Sequence, residues 1–297
     1  MQLVQIANRP EPRLPEWLRK SATNFQALHD LKVELRERKL HTVCESARCP
    51  NIHECFARKA ATFMILGNTC TRTCGFCAVP QGHGERLNRD EPQQIAEMAA
   101  RMELRYVVIT SVNRDDLPDG GSSHFAETVI AVKRALPEAQ VEVLTPDFCG
   151  DHKAVARVLD AQPDVFNHNM ETVARLYRRV RPQADYAQSL EVLQFAKKYS
   201  SRSLTKSGLM VGLGETDGEV LRLLDDLRAA ETDMATIGQY LQPKRNRLPV
   251  EAFIHPDAFE RYREYGESIG FRAVFSGPLV RSSYMADVVE KRAATPA

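Results

Sequence analysis

The sequence predicts an α/β fold, an open partial (β/α)6 barrel of the TIM type, on three observations. Short β-rich runs recur along the chain, amphipathic segments of about 10 to 15 residues separate them, and the runs end in polar and glycine residues. Six runs joined by five such crossovers imply a parallel sheet, because each crossover returns the chain to the same end of the sheet. Six βα units fall short of the eight in a closed TIM barrel, so an open barrel ranks first and a doubly wound sheet second. In either arrangement chemistry gathers at the carboxyl ends of the strands.

Residues 1–20, with Pro10, Pro12 and Pro15 around Trp17, read as an extended arm. FQALHDLKVELRERK (25–39) carries apolar residues at helical spacing and leads into a first cysteine group. The predicted strands are ATFMIL (61–66), YVVITSV (106–112), VEVLTP (141–146), DVFNHN (164–169), SGLMVGL (207–213) and MATIGQYL (234–241). Between them PQQIAEMAARMEL, HFAETVIAVKRALP, HKAVARVLDAQ, AQSLEVLQFAKKYS and GEVLRLLDDLRAAE each present one apolar face. A sixth helix, PDAFERYREYGESIG, precedes FRAVFSGPLV. The chain divides on this reading into an N-terminal extension (1–58), the barrel (59–270) and a C-terminal extension (271–297), with both extensions covering the barrel mouth.

At 297 residues the length allows one or two domains. Forty basic against 39 acidic residues leave a net charge of +1, which supplies no electrostatic drive towards nucleic acid or an anionic membrane. No stretch approaches the roughly 20 apolar residues of a membrane span, and the first residues lack the basic-then-apolar order of a signal peptide. A cytoplasmic location is expected. In that reducing setting seven cysteines, six of them clustered, point to metal rather than disulfides.

GNTCTRTCGFCAV (67–79) places Cys70, Cys74 and Cys77 just beyond the first strand. Tetrahedral zinc commonly takes two close pairs of ligands. Three thiolates with gaps of three and two residues suit an iron-sulfur cube that keeps one iron open. Upstream, CESARCPNIHEC holds Cys44, Cys49 and Cys55 with gaps of four and five. Zinc with His41 or His53 as a fourth ligand is the plainer reading of that group.

The loop with Cys70, Cys74, Cys77 and the aromatic Phe76 resembles the cluster loop of the radical S-adenosylmethionine enzymes. Joined to CESARCPNIHEC and to RSSYMA (281–286), it resembles the lipoyl synthase family. PEWLR, TSVNRDDLPDGG, NHNMETV, RPQADY, KSGLMVGLGET, TIGQYLQP and SGPLVRSSYMA look like that family's blocks in the right order. The resemblance implies two 4Fe–4S clusters, one on Cys70, Cys74 and Cys77, the other an auxiliary cluster on Cys44, Cys49, Cys55 and Ser283. It implies catalytic roles for Ser283 and Arg281, and cofactor contacts from Thr73, Phe76, Ser111, Asn113, Asn169, Glu171, Arg181 and Gly212. The implied reaction is sulfur transfer. A radical made from S-adenosylmethionine, two molecules per lipoyl group, abstracts hydrogen from C6 and C8 of a protein-bound octanoyl-lysine, and the auxiliary cluster surrenders the two sulfurs. The implied partners are octanoylated lipoyl-carrier domains of 2-oxoacid dehydrogenase acyltransferases and the glycine cleavage H protein. Also implied are a flavodoxin or ferredoxin electron donor and an iron-sulfur carrier. The chain departs from the family pattern at Asn113, Gln183 and Arg247, where Asp, Gly and His are usual.

Read as residues alone, Asn169 and Glu171 serve equally as a helix cap with an acidic first turn, and Arg181 as a solvated helix-end cation. Gly212 and Gly214 make a turn that admits close backbone approach. Asp115, Asp116 and Asp119 read as turn residues, and Cys149 as a small residue without a role. Two other classes remain open at this point: a different radical sulfur-inserting enzyme, which shares Cys70, Cys74 and Cys77 but has no need of Ser283, and a non-enzymatic zinc module.

Overall fold

The computed structural model describes residues 14–18, 41–42, 51–57 and 59–283. The expected helix over 25–39, Cys44, Cys49 and the Tyr284, Met285 and Ala286 of the C-terminal motif lie outside the described residues. One sheet organises the fold, with strands in chain order: β1 (His41–Thr42), β2 (Ala60–Ile65), β3 (Tyr106–Ser111), β4 (Gln140–Leu144), β5 (Val165–Asn167), β6 (Leu204–Val211), β7 (Met234–Gln239) and β8 (Ala273–Gly277). Strands β2 to β8 are parallel, and β1 pairs antiparallel with β2.

The helices are α1 (Ile52–Ala57), α2 (Glu91–Arg101), α3 (Ser122–Ala135), α4 (His152–Asp160), the short α5 (Tyr177–Val180), α6 (Tyr186–Tyr199), α7 (Asp217–Ala229) and α8 (Pro256–Ser268). Each long crossover helix lies within two residues of its predicted start. The sheet holds seven parallel strands rather than six: FRAVFSGPLV supplies β8, which therefore falls inside the range expected to form the C-terminal extension.

Alternation along the strands separates two environments. Val107, Ile109, Val141 and Val143 pack with Met98, Phe125 and Val158 of the helices in one core, and Leu209, Val211 and Ile237 with Leu223, Leu224 and Phe259 in a second. Each such fully buried side chain contributes about 1.5–3 kcal/mol. The intervening residues face the other way. There Glu142 takes hydrogen bonds from Tyr106 Oη (2.9 Å), Asn167 Nδ2 (2.8 Å) and Lys206 Nζ (2.9 and 3.1 Å), all in full burial. A paired and bonded charge thus fills the interior below the strand ends, which leaves the carboxyl ends as the open side.

Trp17 meets the His255 ring edge-on at 5.2 Å, which places the short described segment 14–18 at the start of α8. No helix among the described residues is long and apolar enough to cross a membrane.

Candidate active site

The cluster loop leaves β2 through two left-handed residues, Leu66 (φ +69°) and Gly67 (φ +92°). Leu66 pays no hydrogen-bond penalty there: its N–H donates to Glu91 Oε2 (2.9 Å) and its carbonyl accepts from Arg114 Nη1 (3.2 Å). The neck of the loop is stapled by a bridge between Cys70 and Gln81, with Cys70 N–H on the Pro80 carbonyl (2.9 Å) and Gly82 N–H on the Cys70 carbonyl (3.0 Å). The tip is held at Gly75, whose N–H donates to the Val180 carbonyl (2.9 Å) and whose carbonyl accepts from Leu248 N–H (3.0 Å). A Cβ on Gly75 would stand 2.7 Å from Leu248 Cδ1.

Between the cysteines, Arg72 binds Asp115 (2.7 and 3.0 Å) and Asp147 (2.7 and 2.7 Å). Two N–H groups, of Arg72 (3.5 Å) and Asn113 (3.3 Å), donate to Cys70 Sγ. The three positions that depart from the family pattern all contact this loop, Asn113 through its backbone alone. The Asn113 carbonyl accepts from Thr71 N–H (3.1 Å) and Oγ1 (3.0 Å). Gln183 Oε1 accepts from Thr73 N–H (3.1 Å) and Oγ1 (3.0 Å). Arg247 donates to the Val79 carbonyl (3.4 Å) and, with the Gln81 amide turned towards it, to Gln81 Oε1 (2.6 and 3.2 Å).

Cys70, Cys74 and Cys77 line a cavity at the carboxyl ends of the strands, together with Phe76, Ser111, Asn113, Asn169, Glu171 and Arg181. Thr73, Gly212, Arg281 and Ser283 are not among its lining residues. Thr73 sits on the outer face of the loop against Gln183. Gly212 lies under Gln239 and Ala252, where a Cβ would be 2.2 Å from Gln239 Nε2, and Glu215 accepts the N–H groups of Gly212 and Leu213. Asn169 reaches its place because Gly208 lacks a side chain: a Cβ there would be 2.8 Å from Asn169 Oδ1. Glu171 is left-handed (φ +66°) and is fixed by a bridge to Leu209, with its carboxylate on Asn169 Nδ2 (2.9 Å). Arg181 Nη1 donates to the carbonyls of Asn169 (2.8 Å) and Met170 (3.3 Å) and to Tyr177 Oη (3.0 Å).

The electrostatics follow from enclosure. Burial pushes the Cys74 thiol up to about 12, against the opposing pull of Arg181. Burial raises Cys77 in the same direction. Burial likewise raises Glu171, with Arg181 and the Asn169 hydrogen bond opposing. Such thiols give up their protons when metal takes their place.

His168, which no motif in the sequence singles out, also lines the cavity. Its Nδ1 faces the Thr145 carbonyl at 2.9 Å, which assigns the proton to Nδ1, and its Nε2 has no partner among the described residues. Arg72, Thr110 and Thr145 were also missed; only the position of Arg72 between two cysteines hinted at a role.

These residues fit an iron-sulfur cube and an adenosyl cofactor. Three thiols from one loop line the cavity, a soft donor set that suits a group presenting a separate iron to each. Ser111, His168 and Asn169 line the cavity, and their Oγ, Nε2 and Oδ1 are buried with no partner among the described residues. Buried polar atoms are normally satisfied, so these await the hydroxyl and ammonium donors of a ligand.

Fold and site together define a radical S-adenosylmethionine enzyme, and residues 64–227 match the Radical SAM superfamily. Solved structures share the fold. The FeFe-hydrogenase maturase HydG from Carboxydothermus hydrogenoformans superposes with a TM-score of 0.56 at 13% identity, over 90% of this chain and 78% of that one. Methylornithine synthase (PylB) gives 0.53 at 18% identity, over 76% and 67%. Residues 2–49 match the N-terminal domain of lipoyl synthase. The lipoyl synthase of Caldanaerobacter subterraneus subsp. tengcongensis is 54% identical over 276 residues, 93% of this chain and 96% of its own. That of Caldicellulosiruptor bescii is 54% identical over 273 residues, 92% and 94%. The chain belongs to the lipoyl synthase family. With that membership come a 4Fe–4S cluster and S-adenosylmethionine.

Of the residues proposed for an auxiliary cluster, Cys55 lies half-buried on α1 and Ser283 in the turn after β8, while Cys44 and Cys49 are outside the described residues.

Proposed function

We propose that this enzyme inserts two sulfur atoms at C6 and C8 of an octanoyl chain carried on a protein lysine, drawing both from an auxiliary 4Fe–4S cluster on Cys44, Cys49, Cys55 and Ser283. The observation that carries the reading is the shared cavity, where Cys70, Cys74 and Cys77 stand with Asn169, Glu171 and Arg181. An unactivated C–H bond has no acidic proton, so no general base can open the reaction. When bound on those three thiolates, the iron-sulfur cube and S-adenosylmethionine supply a 5′-deoxyadenosyl radical, two cofactor molecules being used per lipoyl group.

The chain's own residues bind and orient. Arg181 offers a guanidinium to the cofactor carboxylate. Asn169 Oδ1 and Glu171 accept from its ammonium, and Ser111 Oγ and His168 Nε2 from its ribose hydroxyls. Phe76, Val112, Leu144 and Pro146 form apolar wall that excludes water from the reacting carbon. Ser283 supplies a hard oxygen ligand among soft thiolates, one that protonation releases, and Arg281 lies beside it in sequence. Each insertion breaks one C–H bond and forms one C–S bond.

The proposed partners are octanoylated lipoyl-carrier domains of 2-oxoacid dehydrogenase acyltransferases and the glycine cleavage H protein, a flavodoxin or ferredoxin as electron source, and an iron-sulfur carrier that rebuilds the spent cluster. The test is anaerobic reconstitution followed by turnover on an octanoyl-lysine peptide. About eight irons and eight sulfides per chain are expected, with a product heavier by two sulfurs. Zinc alone, or a peptide that never gains sulfur, overturns the reading.

A further inference from the structure

The sheet is open, with β1 and β2 at one edge and β8 at the other. The two segments proposed to ligate the auxiliary cluster flank those opposite edges: α1, with Cys55, runs directly into β2, and the turn with Ser283 follows β8. One side chain spans them. Asn51, 1% exposed at the start of α1, donates from Nδ2 to the Leu279 carbonyl at 2.7 Å, across 228 residues of chain. Its own carbonyl accepts from Cys55 N–H at 3.0 Å. A continuous path of two hydrogen bonds thus runs from the Cys55 backbone to Leu279, four residues before Ser283.

The far side of the same turn is fixed independently. Val280 N–H donates to the Gly277 carbonyl (3.1 Å), and the Val280 carbonyl presses onto Gly238 of β7, where a Cβ would stand only 2.1 Å from it. The turn is therefore clamped between a strand without a side chain and a buried amide. Burying an amide is costly unless it is bonded, and Asn51 Oδ1 has no partner among the described residues, so the Nδ2 bond is what the burial secures.

We propose that Asn51 is the positioning residue that holds the two auxiliary-ligand segments together across the open seam of the barrel. The bond is made by protein atoms alone, so it persists when the cluster is consumed and keeps the site assembled for rebuilding. This rests on the auxiliary-cluster reading above.

Asn51→Asp is the discriminating variant. An ionised aspartate has nearly the shape of asparagine but no donor for the Leu279 carbonyl. In the full-length metal-free chain, the amides of residues 279–283 are expected to exchange hydrogen about tenfold faster or more, while those of residues 70–79 are unchanged. After reconstitution the variant should keep about four irons on Cys70, Cys74 and Cys77, and bind S-adenosylmethionine normally. Its Mössbauer spectrum should lack the oxygen-ligated iron, as that of Ser283→Ala should. A role in stability alone would lower both iron populations together and overturns the inference. Unchanged exchange, with about eight irons in both wild type and Asn51→Asp, overturns it as well. A wild type that binds only about four irons is a different failure: it overturns the auxiliary-cluster reading itself, and this inference with it.

Discussion

Arg72 is locked to Asp147 by two hydrogen bonds of 2.7 Å, with 5% of the arginine side chain and none of the aspartate exposed. The pair joins the cluster loop to the turn after β4. Because Arg72 stands between Cys70 and Cys74, the orientation of both cysteines depends on a charge that only the fold satisfies.

Removing one partner of a buried pair leaves the other charge uncompensated. Asp147→Ala should cost roughly 3 kcal/mol in unfolding free energy, with Asp115 retaining part of the hold on Arg72. Urea unfolding measures it.

The same carboxyl carries an acid limit. Burial alone would raise Asp147, but the hydrogen bonds and charge of Arg72 hold it down to about 2. A depressed carboxyl stabilises the fold above its unfolded value of about 3.9, and the contribution disappears as pH falls towards 2. The window corresponds to about 2–3 kcal/mol, and Asp147→Asn should lack that part of the slope in unfolding measured between pH 5 and 2.

His168 gives a second, higher window. Burial, aided by the nearby charge of Arg181, holds its imidazole down to about 4. The unfolded chain binds that proton from about pH 6.5, the folded chain only near 4, so stability is intact above 6.5 and declines as pH falls through the interval. The expected loss is about 3 kcal/mol. His168→Gln removes this component, and its unfolding free energy should be flatter between pH 6.5 and 4.

The strands were legible because a parallel strand buried on both faces is a near-continuous apolar run, as in Ala60–Ile65, buried at all six positions and apolar but for Thr62. β8 escaped because AVFSG is only half buried and ends in serine and glycine, which reads as a turn. The cluster ligands were legible because Cys70, Cys74 and Cys77 act through local spacing. What holds them was not: Asp147, Val180, Gln183 and Leu248 stand 75 or more residues from the loop residues they bond, and no local pattern joins an arginine between cysteines to an aspartate after a distant strand. His168 was hidden for a related reason, since a packed histidine and one aimed into a cavity have the same letter and the same neighbours.

Gly238→Ala tests the C-terminal turn from its other side. The new Cβ would meet the Val280 carbonyl at 2.1 Å, a backbone atom that cannot rotate away, so the turn bearing Arg281 and Ser283 must shift. Displacement of about 1 Å can cost about a hundredfold in rate. Sulfur insertion should fall by that order while 5′-deoxyadenosine formation falls severalfold at most, as chromatography of both products would show. An equal loss of both would place the effect at the cofactor cavity instead.

Ser283→Ala separates the two halves of the chemistry most directly. Ser283 does not line the cavity that holds Cys70, Cys74, Cys77 and Arg181, so its removal leaves the cofactor-binding groups in place. A serine oxygen that ligates one iron of a sulfur-donating cluster controls whether that cluster can open. The variant should therefore still cleave S-adenosylmethionine in the presence of reductant and octanoyl-lysine peptide, yet release little or no product bearing two sulfurs. The measured quantity is lipoyl product per 5′-deoxyadenosine, expected to drop at least tenfold, a difference of about 1.4 kcal/mol or more between the two steps. Ser282→Ala, one residue earlier in the same turn, should leave that ratio within twofold of wild type, because the proposed iron ligand is one hydroxyl and not the polarity of the turn. If Ser283→Ala makes lipoyl product at the wild-type ratio, the oxygen ligand belongs to another residue.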